Sequence, residues 1–189
     1  MSQETALSLV KGQKVDLTKT HPGLKKVNAG LGWDVNSGSG DAFDLDAFAL
    51  ALIGGKLTSS ANVIYFNNKA GAGITHSGDN LTGAGDGDDE TIFIDLTQIP
   101  SEVDEVLLCV NIYEASSRRQ NFGQVKNSFV RLYDAETQKD LVRYDLNEDY
   151  SAFSGIVMGK LYRKDGEWKF QAVGEGRNGD INTFASSFR

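Results

Sequence analysis

Apolar and polar residues alternate along most of the chain. The stretches TIFID (residues 91–95), EVLLCVNIY (105–113), SFVRLYD (128–134), DLVRYDL (140–146), VMGKLYR (157–163) and EWKFQAV (167–173) are rich in β-branched and aromatic residues at period two. NVIYF (62–66) reads the same way, and LSLV (7–10) and KVDL (14–17) read as two shorter strands. KDG (164–166) supplies the turn of a hairpin joining the last two long stretches. Strands recurring without amphipathic helices between them predict an all-β fold, an antiparallel sandwich or barrel. Short helical turns are expected within residues 95–105, after Gln120 and at the C-terminus. No linker or repeat interrupts the pattern, so residues 1–189 read as a single domain.

Composition narrows the picture in three places. The longest apolar run, FALALI (48–53), is too short to cross a bilayer, and MSQETALSLV lacks the basic and long apolar segments of a secretory signal. A cytoplasmic location is therefore expected. The single cysteine, Cys109, lies inside an alternating strand and is expected to be a buried structural thiol. The net charge of −7 is unevenly spread: residues 34–95 carry ten acids and two lysines, while the remainder holds sixteen acids and seventeen bases. Nucleic acid is thereby disfavoured as a partner of that acidic third, because phosphates need Lys or Arg.

The acids concentrate in GDNLTGAGDGDDE (78–90), a glycine-rich run carrying Asp79, Asp86, Asp88, Asp89 and Glu90 beside Asn80. Ca²⁺ takes six to eight oxygens from carboxylates, amides and carbonyls, and alternating Gly and Asp let such groups curl toward one point. DAFDLDAF (41–48) places Asp44 and Asp46 on one face of a strand, and GLGWD offers Asp34. A solvated charge run is the alternative for any acidic stretch. Here the loop abuts a strand, and the second acid pair lies among Phe and Leu, which favours a cation. The spacing is not an EF-hand, since counting from Asp86 puts Thr91 where glycine is required. Two histidines and one cysteine make structural zinc a poor fit. GEGRNG (174–179) matches a dinucleotide fingerprint but leaves no room for the rest of a βαβ unit, and His76–Ser77 has no nucleophile elbow around it. Arg118, Arg119, Gln120 and Asn121 supply donors suited to a carboxylate or phosphate, or else form a capped loop with Phe122 packed in the core.

Several of these stretches together carry a family resemblance. VNAGLGWDVN, FDLDAFAL, SGDNLTGAGDGDDETIFIDL, RRQNFGQVKNSFVRLYD, LVRYDLNEDYS and GKLYRKDGEWKFQAVGEG resemble the TerD family of tellurium-resistance and bacterial stress proteins, over residues 7 to 176. The resemblance implies a β-sandwich binding Ca²⁺, two ions in all, through Asp34, Asp44, Asp46, Asp79, Asn80, Asp86, Asp88, Asp89 and Glu90. It implies a non-enzymatic binding or scaffolding module in a stress response, with other stress proteins as partners, peripheral to the inner face of the membrane. A small anionic ligand or nucleotide held with the help of calcium is the alternative, as is calcium-dependent association with anionic membrane. The chain departs from the family's pattern twice: Phe48 stands where FDLDAS is usual, and INTFASSFR replaces the glycine-rich finish.

Overall fold

In the computed structural model, which describes residues 6–34, 42–78 and 87–189, the described strands are β1 (Leu7–Leu9), β2 (Lys14–Asp16), β3 (Lys26–Gly32), β4 (Leu45–Leu52), β5 (Val63–Ile64), β6 (Ala70–Gly71), β7 (Ile74–His76), β8 (Glu90–Asp95), β9 (Glu105–Ile112), β10 (Phe129–Asp134), β11 (Asp140–Asp145), β12 (Gly155–Lys164) and β13 (Glu167–Arg177). Two short helices join them, α1 (Ala115–Arg118) and α2 (Ile181–Ser186). A seven-stranded sheet runs β1-β11-β10-β3-β8-β7-β6, and a six-stranded sheet runs β2-β13-β12-β9-β4-β5. Every pairing is antiparallel except β1 with β11. The architecture is the all-β sandwich that the alternation predicts.

One face of each sheet builds the core between them, with Val27, Ala29 and Leu31 from β3 meeting Leu45, Ala47 and Ala49 from β4. The opposite side chains of β4 also find cover. Phe48, Leu50 and Leu52 join Leu107, Cys109 and Val157 in a second apolar layer closed by Ile181, Phe184 and Ala185 of α2. A strand buried on both faces needs no polar alternation, which is why FALALI reads as a continuous apolar run. Phe184 meets Phe48 edge-on at 5.3 Å, and Gly155 leaves room for its ring, since a Cβ there would lie 2.5 Å from it. Burial inside this layer pushes the Cys109 thiol well above its ordinary range, in keeping with a structural role.

The KDG turn is a tight hairpin with Asp165 at φ 56° and Gly166 at φ 78°, the left-handed pair that matches strand twist. GEGRNG is no phosphate loop. Its first four residues continue β13, and an extra residue opposite Val157–Gly159 makes a bulge where Gly174 adopts φ 61°.

Three details differ from the sequence expectation. The helical turn near Gln120 precedes it, as α1, and residues 95–105 turn without forming a helix. Only Val63–Ile64 of NVIYF pairs as a strand, after a single 3-10 turn at Ser60–Asn62. β3, β6 and β7 are additional. β3 carries two glycines and an asparagine, which depress strand propensity, and tertiary pairing on both sides overrides it. Its glycines face outward, where the side chains of Asp88 and Phe129 lie against them.

Candidate functional site

The acids gather at one end of the sandwich, where β3 finishes, β4 begins and β8 begins. Asp44 and Asp46 belong to the outer face of the six-stranded sheet, beyond Phe48 in the same alternation, and both are buried. Asp46 stands directly across from Asn111 of β9, so their side chains leave the sheet on the same side. Asn111 is only 2% exposed, and its Oδ1 accepts no hydrogen bond among the described residues. A buried, unmatched amide oxygen is costly, by about 1–3 kcal/mol. Asp44 is approached from α1: Arg118 Nη1 lies 3.6 Å from its Oδ2, while Nε lies 3.7 Å from Glu114 and the guanidinium covers the Tyr113 ring at 5.2 Å. Left-handed residues at both ends of α1, Glu114 (φ 51°) and Arg119 (φ 53°), set this turn in place. Arg119 itself is exposed.

Across the gap, Glu90 points between the sheets and is 1% exposed. Its Oε2 accepts the Ala47 backbone N–H at 2.7 Å, and His76 Nε2 lies 2.9 Å from the Ala47 carbonyl and 3.4 Å from Glu90. Because His76 Nδ1 accepts from the Gly78 amide at 3.0 Å, the ring hydrogen sits on Nε2 and is donated to Ala47. β5 pairs with β4 only at Ala49 and Leu50, so the two side chains finish the hydrogen bonding of β4 where its neighbour has stopped. Both histidine nitrogens are thereby engaged, and no triad forms at His76–Ser77.

The remaining acids fan out. Asp89 Oδ2 accepts the Trp33 amide at 2.9 Å, while its own amide donates to the Leu31 carbonyl. Burial raises its pKa, the Trp33 bond opposes that, and the charges of Asp88, Glu90 and Asp34 raise it further. Asp34 is exposed and takes a hydrogen bond from Asn127 Nδ2 at 2.7 Å. Asp88 turns away to the outer face of the seven-stranded sheet, where Arg131 donates Nε to Oδ1 at 2.8 Å and Nη2 to Oδ2 at 2.9 Å. Asp79, Asn80 and Asp86 lie outside the described residues.

Thus Asp34, Asp44, Asp46, Asp89 and Glu90 share one end of the molecule, and Asp88 leaves it. Among the described residues, no three carboxylate, imidazole or thiol side chains group closely enough to hold an ion by themselves. The donor set is nevertheless all oxygen, with the histidine spent on Ala47 and Cys109 sealed in the second apolar layer. That chemistry fits a hard cation such as Ca²⁺ and not a thiophilic one. Asn111, Arg131, Asn127 and His76 are participants that the sequence reading did not assign. Asn111 had one signal, an amide interrupting an otherwise apolar strand.

The QNFGQV signature folds on itself. The Asn121 amide donates to Gln124 Oε1, the Gly123 amide to Asn121 Oδ1, and the Phe122 amide to the Phe153 carbonyl, with Phe122 buried in the core. It walls a cleft of about 600 Å³ with Glu114, Ser116, Ser151, Asn178 and Asp180, and none of the described lysines or arginines lines it. Among the described residues, no helix is long and apolar enough to cross a membrane.

Residues 5–188 match the TerD domain family. The chain is 48% identical over 186 residues to general stress protein 16U of Bacillus subtilis (strain 168), covering 96% of each chain. It is 45% identical over 186 residues to tellurium resistance protein TerD of Serratia marcescens, covering 97% of each. In fold it is similar to the crystal structure of a homologue of telluride resistance protein (TerD) from Streptomyces coelicolor A3(2). The TM-score is 0.72 at 22% identity, covering 86% of this chain and 96% of that one.

Proposed function

The chain belongs to the TerD family of tellurium-resistance and general stress proteins, and from that premise we propose that it is a calcium-binding module with a scaffolding, non-enzymatic role in a stress response. The observation that carries this reading is Asn111 Oδ1, a buried oxygen with no donor among the described residues, directly across from buried Asp46. Lone pairs with no hydrogen to meet them are the complement of a cation. Asp44, Asp46, Asp89, Glu90 and Asp34 would bring the negative charge, and Asp79, Asn80 and Asp86 of the same acidic run would add oxygens. Bound Ca²⁺ would add positive charge to that of Arg118, which is shared between Asp44 and Glu114. The chain's own contribution is to hold these oxygens on rigid strands.

Calorimetric titration with Ca²⁺, beside thermal unfolding in chelator and in calcium, tests the reading. A ligand at a hundred times its Kd stabilises by about 2.7 kcal/mol, which for a domain of this size raises Tm by about 5–10 °C. No heat and no rise in Tm would overturn it. One observation favours the alternative of a small anionic ligand held beside the ion, namely that Arg118 reaches the acidic end. The large cleft lends it no support, because its lining carries Glu114 and Asp180 and no basic residue. Titration of a cyclic nucleotide or inorganic phosphate in saturating calcium separates the two, with binding lost in Arg118→Ala if the alternative holds.

A further inference from the structure

Asp88 is paired with an arginine, Arg131. It directly precedes Asp89 and Glu90, yet its side chain crosses β3 on the outer face of the seven-stranded sheet. It passes over Gly30, where a Cβ would lie 2.1 Å from Asp88 Oδ2. Gly30 stands between Thr91 of β8 and Arg131 of β10 in the strand register, so Asp88 spans one strand to reach the guanidinium. Both carboxylate oxygens are engaged, at 2.8 and 2.9 Å, in the paired geometry that makes arginine–carboxylate contacts strong. Arg131 is fixed in turn by Asp140 of β11 at 2.5 Å and by the Tyr133 ring at 4.5 Å. The Asp88 side chain is 8% exposed, so solvent screens the pair weakly.

We infer that Asp88 and Arg131 form a latch across Gly30 that positions Asp89 and Glu90 for the cation, and that Asp88 is not itself a ligand. The inference deepens the calcium reading and rests on it for the identity of the ion. Its physical basis is local. Glu90 is the first residue of β8, where pairing to β3 begins at Leu31–Glu90, and Asp89 immediately precedes it, its amide donating to the Leu31 carbonyl. The latch adds a side-chain tie two residues before that pairing and fixes the direction in which Asp89 leaves the chain. Arg131 and Asp88 are positioning residues, acting through the two carboxylates that follow.

The sign of one mutation separates this role from ligation. Were Asp88 a ligand, Arg131 would compete with calcium for it, and Arg131→Ala would tighten binding. As a latch, Arg131→Ala weakens it, by about tenfold or more, the range typical of residues that orient ligands. Titration calorimetry on Arg131→Ala, Asp88→Asn and the double variant is expected to show weakened affinity at unchanged stoichiometry. The double variant should be no weaker than the weaker single. Gly30→Ala, which displaces Asp88 without touching a charge, is expected to reproduce the loss and carries the test if Arg131→Ala does not fold. A readout independent of calcium is amide hydrogen exchange in chelator. The Trp33 and Asp89 amides, bonded to Asp89 and Leu31, should exchange faster in each variant, with Leu108 unchanged. Tighter calcium binding in Arg131→Ala, one ion fewer in Asp88→Asn, or unaltered exchange at Trp33 and Asp89 would each overturn the latch. Faster exchange there in a protein that never binds calcium would uphold the latch and sink the calcium reading.

Discussion

At the scale of single residues, Glu90 does two jobs that can be separated. It satisfies the buried Ala47 amide, and it stands among the proposed ligands. Glu90→Ala leaves that amide unmatched and should cost about 1–3 kcal/mol by urea unfolding in chelator. Glu90→Gln keeps an accepting oxygen, so it should cost less in chelator while still weakening calcium. Equal losses in both conditions would reduce Glu90 to a structural clamp. Asp180 gives a pH-dependent counterpart. It caps α2 by accepting the Thr183 amide at 2.8 Å, which holds its carboxyl below the ordinary carboxylate range. A lowered pKa in the folded state means that the cap's contribution is complete above about pH 4 and is lost as pH falls through the folded pKa. Asp180→Ala should cost about 1 kcal/mol at neutral pH, and the gap from the parent should close on acidification. Which residues are acidic was legible in the sequence, but the direction each side chain takes was not. Asp88, Asp89 and Glu90 are consecutive, yet one lies over the outer sheet face, one bonds the Trp33 amide and one reaches between the sheets. That divergence follows from strand register and from the open space above Gly30, neither of which a spacing rule contains.

At the scale of elements, the two places where the sequence reads as departing from the pattern it resembles meet in space. Phe48 of β4 and Phe184 of the C-terminal INTFASSFR stretch meet edge-on at 5.3 Å. Phe48 of β4 is covered by Phe184 of α2 within the second apolar layer. Phe184→Ala should therefore destabilise by about 3–5 kcal/mol, measured by urea unfolding, and should expose Cys109 to thiol reagents that the parent resists. An unreactive Cys109 in that variant would show that α2 is not its cover. β13 was legible because alternation survives in it, whereas β4 and β9 are buried on both faces and read as apolar runs. β3 was not legible, because Asn28, Gly30 and Gly32 occupy its outward positions, where bulk would collide with Asp88 and Phe129. α1 escaped for a different reason: a four-residue turn entered and left through left-handed residues has no periodicity to detect.

For the whole molecule, the decisive asymmetry is of charge along the sandwich axis. Residues 34–95 carry ten acids against two lysines, and several of those acids lie at one end, whereas the remainder of the chain is close to neutral, with pairs such as Lys160–Glu105 and Arg143–Asp145. In chelator the parent should become more heat-stable as NaCl rises from about 0.01 to about 0.5 M, because screening relieves repulsion at lengths near 10 Å. Saturating calcium should flatten that dependence. A salt response that calcium leaves intact would place the repulsion elsewhere. The clustering of acids in sequence made the charge imbalance legible; its location at a single end depended on how β3, β4 and β8 align.

Trp33 gives the acidic end an optical property. It is one of two tryptophans, its amide is tied to Asp89, and its indole nitrogen is buried without an acceptor among the described residues. Trp168 lies near the hairpin at the opposite end, beneath Arg163. A shift of negative charge beside the Trp33 indole would change its emission and leave that of Trp168 alone. With Trp168→Phe, the unlabelled protein becomes its own fluorescent gauge of what occupies that end.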